Sequence, residues 1–227
     1  MLLKQEKKNK KARRNSGGVS IYAKSSISKG ISNLKSNNPD VCWIKLDQQF
    51  FSLQRDIYLA IIYLSPESTS CTVDHIETFY SALLEDIVKF SKVGDIIIQG
   101  DFNAYTNTMP DFVLHDELNH SNNDDVFYKY DVNLPRNNLD SKRTNNSGKH
   151  LLNVCKEAGL RILNGRTTCD LFGRPTCFTY NGCSLVDYII VSNELLQSVG
   201  FFQVEDFTAL SNHCPIVCGL MSKCNSE

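Results

Sequence analysis

Apolar and polar positions alternate along much of this chain, and the period of the alternation changes from one stretch to the next. Val19-Ser20-Ile21-Tyr22-Ala23 and Val41-Cys42-Trp43-Ile44-Lys45-Leu46 alternate with period two, which predicts half-buried strands. Ile57 to Leu64 is almost continuously apolar, as expected of a central strand covered on both faces. Pro66 closes it, because proline has no N–H for a ladder. Ile76, Phe79, Tyr80, Leu83, Leu84, Ile87 and Val88 then fall on one stripe at helical spacing. Thr72 is the candidate N-cap of this helix, Asp74 suits the positive end of its dipole and Gly94 stops it. A strand ending at Gly100-Asp101 follows. Later the pattern predicts a helix over Lys149–Ala158 closed by Gly159, and strands at Leu160–Leu163, Cys177–Tyr180, Leu185–Val191, 201–207 and Cys214–Leu220. Between Ala104 and about Asn146 the chain is polar, rich in Asn and Asp, and carries Pro110 and Pro135. Structureless loops of that length are uncommon in compact domains, so short elements or a substrate-facing lobe are expected there. Many strands with two clear helices imply packed sheets with helices outside, an α/β or α+β domain.

At 227 residues the chain suits one domain, with enough core to fold without staples. The expected boundaries are a basic lead-in over 1–15, the domain over 16–221 and a tail over 222–227. No apolar run approaches the roughly 20 residues of a membrane span. Met1-Leu2-Leu3 meets Lys4 at once, unlike a secretory signal. An intracellular protein, nuclear or cytoplasmic, is therefore expected. The nine cysteines include no Cys-x-x-Cys spacing. Cys214, Cys218 and Cys224 with His213 could be read as zinc ligands, but the odd count and irregular spacing favour free thiols. Residues 4–14 hold seven basic side chains against the single acid Glu6. This run, with Lys10, Lys11, Arg13 and Arg14 at its centre, reads as a nucleic-acid arm or, more simply, as a solvated lead-in.

Chemistry enters at Gly100-Asp101-Phe102-Asn103. Residues two apart at an extended strand end point the same way, so a carboxylate and an amide share one face. The carboxylate can orient or deprotonate a water, and the amide can hold it or donate to a phosphate oxygen. Alone, Gly-Asp-x-Asn is also an ordinary turn sequence. Near the other end, Ser211-Asn212-His213-Cys214-Pro215-Ile216 sets an amide and an imidazole before another apolar run.

Taken with four further segments, these two stretches give the chain a family likeness. The segments are Gly17-Gly18-Val19-Ser20-Ile21-Tyr22, Tyr63 in Ile62-Tyr63-Leu64-Ser65-Pro66, Leu160 through Gly165-Arg166, and Ser184-Leu185-Val186-Asp187-Tyr188. In order and spacing the set resembles the endonuclease/exonuclease/phosphatase superfamily, most of all the apurinic/apyrimidinic-endonuclease-like domain of non-LTR retrotransposon proteins. The likeness runs from about Asn15 to about Leu220. It implies a four-layer α/β/β/α sandwich of two mixed sheets with the site at one edge, and Mg²⁺- or Mn²⁺-dependent cleavage of DNA. Asp101 would orient or deprotonate the attacking water and Asn103 position it. His213, held by Asp187, would contact the phosphate, and Tyr63 would donate to it. Small-molecule cofactors and membranes have no part in this expectation, and the oligomeric state is left open.

Two departures from the family pattern bear on activity. The family's first strand and its Glu-bearing "QE" segment are expected to be missing, since Gln5-Glu6 lies close to Gly17 among lysines. Glu6 is thus a poor match for the metal-binding Glu. Asn212 stands where the family has Asp, and an amide oxygen brings no negative charge to a hard cation. A damaged metal site and weak or lost activity are expected. The alternative is a non-catalytic nucleic-acid-binding remnant. A phosphoinositide or sphingolipid phosphatase is a third possibility, disfavoured by the retroelement-like segments.

Overall fold

The computed structural model describes residues 2–6, 18–36, 38, 40–66, 73–113 and 134–221, with backbone alone at 2–6 and 73–74. The chain begins with strands β1 (Leu2–Glu6), β2 (Gly18–Tyr22), β3 (Ile31–Leu34), β4 (Val41–Leu46) and β5 (Ile57–Tyr63). Helix α1 (Val73–Ser91) and β6 (Asp95–Asp101) follow, then α2 (Asn146–Glu157) and β7 (Leu160–Ile162). The last part holds β8 (Cys177–Thr179), β9 (Gly182–Ser184), β10 (Asp187–Ser192), β11 (Val199–Val204) and β12 (Ile216–Leu220).

Six strands form the main sheet in the order β3-β4-β5-β6-β10-β7. β5 and β6 are parallel because α1 carries the chain back between them, so both strands end at the same rim. β10 runs antiparallel on the other side of β6 and begins at that rim. The two faces of the sheet hold separate cores. Tyr58, Ala60 and Ile62, Ile96 and Ile98, and Tyr188 and Ile190 face the buried stripes of α1 and α2. Ile57, Ile97, Ile189 and Val191 face Phe202, Val204 and Cys214 beneath the β11–β12 hairpin. The helical stripe falls where periodicity puts it, except that Val88 is exposed and Phe90 takes its place, stacked on Tyr58 at 4.8 Å.

The expected mixed architecture is present, with a large mixed sheet and small two-stranded sheets. Both α-helices lie on the main sheet, so the described residues supply three of the four layers. The lead-in expected over 1–15 is not structureless throughout: Leu2–Glu6 form β1, antiparallel to β2, with Glu6 opposite Gly18. This corrects the reading of Gln5-Glu6 as lying outside any strand, because the ladder to β2 satisfies backbone groups that the lysine-rich context did not reveal. Lys10, Lys11, Arg13, Arg14 and Thr72 fall outside the described residues. α2 starts three residues before the expected Lys149 because Asn145 caps it, its side chain accepting from Gly148 N at 2.8 Å. β3 and β9 are short strands that the pattern did not announce. No described helix is long and apolar enough to cross a membrane.

Candidate active site

Three residues meet side by side at the rim where β5 and β6 end. Across the parallel pair Tyr63 is opposite Asp101, and across the antiparallel pair Asp187 is opposite Asp101. Cross-strand partners share a face, so one phenol and two carboxylates project together. That face is the one covered by β11 and β12, which makes the site an opening at the edge of the sandwich core. Gly100 is required here: its φ is +142°, and a Cβ would strike the Ile62 carbonyl of the neighbouring strand.

Past Asp101 the chain turns sharply. Asn103 adopts φ +45°, a conformation Asn tolerates better than most residues. Its backbone N donates to Asp101 Oδ1 at 2.9 Å, and its Nδ2 donates to Asp101 Oδ2 at 3.2 Å and to Leu64 O at 2.8 Å. The amide thus folds back onto the carboxylate that precedes it. Asn145 fixes this turn from the other side, donating through Nδ2 to Asn103 O at 2.9 Å and accepting from Tyr105 N.

His213 arrives from the segment before β12. Cys177 and His213 form an antiparallel bridge, with Phe178 N donating to Asn212 O and Cys214 N to Thr176 O. This holds His213 Nδ1 2.8 Å from Asp187 Oδ2. A carboxylate accepting there keeps the proton on Nδ1 and leaves Nε2 as the nitrogen for a ligand. Thr176, fully buried, donates to the same Oδ2 at 2.6 Å and accepts from Val186 N and Asp187 N. Asn164 of the Leu160–Arg166 segment donates to Asp187 O and accepts from Ile189 N, so that motif supports the strand carrying Asp187.

Asp101, Asp187 and His213 offer ligand atoms that all lie within 4.8 Å of one another. Burial, and then the charge of Asp187, raise Asp101 from the ordinary 3.8 to about 6. Burial raises Asp187 as well, against the pull of its Thr176 and His213 hydrogen bonds. Two largely buried carboxylates this close together are suited to a cation. With one imidazole, this donor set can hold a divalent metal. No cysteine belongs to the group, and the seven described cysteines are free thiols.

The structure therefore brings Asp101, Asn103, Asp187, His213 and Tyr63 to one rim. Asn212 is adjacent through the chain and exposed. Glu6 ends β1, with its side chain outside the described residues. Thr176, Asn145 and Asp140 were missed by sequence reasoning. Asp140 Oδ2 accepts from Leu185 N, just before Asp187. A lone Thr, Asn or Asp in a polar stretch carries no signal of such a contact. Arg166 does not reach the site: it is buried, 2.6 Å from Asp111.

The fold has solved counterparts. The endonuclease domain of TRAS1, a telomere-specific non-LTR retrotransposon, superposes with a TM-score of 0.56 at 15% identity, covering 96% of this chain and 80% of that one. The AP endonuclease LMAP from Leishmania major gives 0.64 at 14% identity, covering 97% and 70%. This chain shares the fold of these two endonucleases. A third structure with this fold, the 3'-5' exonuclease NExo from Neisseria meningitidis, gives 0.55 at 14% identity over 82% of this chain and 67% of that one. Residues 112–217 match the family described as Endonuclease-reverse transcriptase, a span that includes Asp187 and His213. No curated protein sequence matches the chain significantly.

Proposed function

We propose that this domain hydrolyses DNA phosphodiester bonds with a divalent cation, Mg²⁺ in the first instance. The observation that carries the reading is the convergence of Asp101, Asp187 and His213 within 4.8 Å, with Asn103 folded onto Asp101. Asp101, which burial and the charge of Asp187 raise to about 6 in the metal-free chain, is ionised at neutral pH and takes a proton from the attacking water. Asn103 orients that water. Held at Nδ1 by Asp187, His213 donates to a phosphate oxygen when Nε2 also carries a proton, and Tyr63 offers a hydroxyl from the next strand. A divalent cation held by Asp101 and Asp187 supplies Lewis-acid stabilisation of the charge that grows on the phosphate.

The rim also suits nucleic acid. Phe178, paired with Phe207 at 5.8 Å, and Tyr180 at the tip of the β8–β9 hairpin are exposed beside the Asn212-His213 segment. Exposed rings next to a phosphate site can stack on unpaired bases. The non-catalytic nucleic-acid-binding remnant draws on these same rings, and retention of Asp101 and the His213–Asp187 pair favours the enzyme.

Asn212 weakens that enzyme. Replacing a carboxylate by an amide removes one charge from the metal's surroundings, and a loss of a few kcal/mol of stabilisation lowers the rate about a hundredfold. The test is nicking of supercoiled plasmid with and without Mg²⁺. The chain is expected to nick slowly or not at all, Asn212→Asp to restore Mg²⁺-dependent nicking, and Asp101→Ala to abolish it. Mg²⁺-independent cutting, or cutting that survives Asp101→Ala, overturns the reading.

A further inference from the structure

Residues 136–145 have no regular secondary structure, yet they are sewn between the two loops that carry the site. On one side Asn145 holds Asn103 O and Tyr105 N, Asn107 Nδ2 donates to Lys142 O at 3.2 Å, and Asn138 Nδ2 donates to Asn107 O at 3.0 Å. On the other, Asp140 accepts from Leu185 N at 3.0 Å, two residues before Asp187. The strap thus spans from the Asp101 loop to the Asp187 loop. Its most exposed cationic residues are Lys142 and Arg143.

Lys142 is held more firmly than an ordinary surface lysine. Its backbone N donates to Asp140 Oδ1 at 3.0 Å, and its carbonyl accepts from Asn107, so the main chain is fixed on both sides of the residue. Its ammonium lies 4.8 Å from the centre of the Tyr105 ring, on the Asn103 side of the rim. The strap and this ring contact place one cation beside the Asn103 turn, on the segment that runs from the Asp101 loop to the Asp187 loop.

We propose that Lys142 contacts a substrate phosphate beside the Asp101–Asp187 pair, and that it governs affinity for the nucleic-acid backbone; this rests on the phosphodiesterase reading above. Two partly buried carboxylates repel an approaching phosphodiester, and a fixed cation at the mouth offsets that repulsion before any metal is counted. An ammonium is a compact point charge with three donors, suited to a phosphate oxygen in several geometries. With the backbone already pinned, the ordering cost left to binding is that of the Lys142 side chain.

The experiment is equilibrium binding of a fluorescent DNA duplex to the full chain without added metal, followed by anisotropy across a KCl series. Lys142→Met is expected to weaken binding about five- to tenfold at low salt and to flatten the log–log salt slope by about one, the signature of one lost phosphate contact. Lys142→Arg should retain the slope. Lys89→Met, on α1 across the main sheet, should match the unsubstituted chain. Wild-type affinity and slope in Lys142→Met, or no salt-sensitive binding by the unsubstituted chain, overturns the proposal. The nicking assay separates the two claims. Abolition of Asn212→Asp nicking by Asp101→Ala, with unchanged binding in Lys142→Met, removes Lys142 alone. Nicking that survives Asp101→Ala, with a flattened Lys142→Met slope, removes the nuclease reading and leaves Lys142 as a DNA contact.

Discussion

Asp101 ends its strand beside a second carboxylate, and both are largely withdrawn from water. An acid whose folded-state pKa lies above its unfolded value costs stability when it ionises. The cost is absent below about pH 4 and fully present above about pH 6. Asp101→Asn keeps an acceptor for Asn103 N and removes the charge, so it should stabilise the metal-free chain at pH 7. Allowing for partial exposure, the gain is on the order of 1–2 kcal/mol, fading as pH falls toward 4. Thermal melts of both proteins across that range check the sign. Arg166 shows how a motif residue can be structural. Its guanidinium and the Asp111 carboxylate are 1% and 0% exposed and 2.6 Å apart. Asp111 Oδ2 also accepts from Ile162 N, which ties the pair to β7. Removing one buried partner strands the other charge, so Arg166→Leu should cost about 3–5 kcal/mol by urea denaturation. Nothing in the spacing of Asn164-Gly165-Arg166 separates its three jobs. Asn164 serves β10, Gly165 with φ +79° sits against the Asn137 carbonyl, and Arg166 serves the core.

At the scale of elements, what could be read from the pattern was what burial dictates. β4 has the expected bounds, β5 is one residue shorter, and the α1 stripe Ile76, Phe79, Tyr80, Leu83 and Ile87 is 3% exposed or less. Val88 lay on that stripe by periodicity yet is 48% exposed, because the helix turns that position past the sheet while Phe90 fills the gap beside Trp43. Leu83→Ala should therefore cost about 2–5 kcal/mol and Val88→Ala well under 1, a contrast denaturant titration resolves. What escaped the reading was built from polar contacts over long sequence separations. β9 is three residues with two exposed, and the 136–145 strap is held by Asn and Asp side chains rather than by apolar burial. The site followed the same division. Asp101 and Asn103 stand out because an apolar strand ends on them, whereas Asp187, inside the expected strand Leu185–Val191, is singled out only by the family resemblance of Ser184-Leu185-Val186-Asp187-Tyr188. Thr176, which holds Asp187 in place, precedes a three-residue strand and has no pattern around it.

For the whole molecule, the parallel β5–α1–β6 crossover and the antiparallel return of β10 put three strand ends at one rim, and the β8–His213 bridge brings the last segment to meet them. That topology lets residues from Tyr63 to His213 form one site. Among the described residues the second layer is thin: β12 pairs only with β11, and Val217 and Phe201 are exposed on that hairpin. The central claim is that this rim is a phosphodiesterase site with Asp101 as its base. Its most direct test is the single-turnover rate of cleavage of a labelled DNA duplex by Asn212→Asp with saturating Mg²⁺, measured from pH 5 to pH 8 alongside Asn212→Asp/Asp101→Asn. The account predicts a rate that rises with pH and levels off, with its midpoint at or below about 6 because a bound cation favours the ionised form, and a flat background rate in the double variant. Equal rates in the two proteins would contradict it.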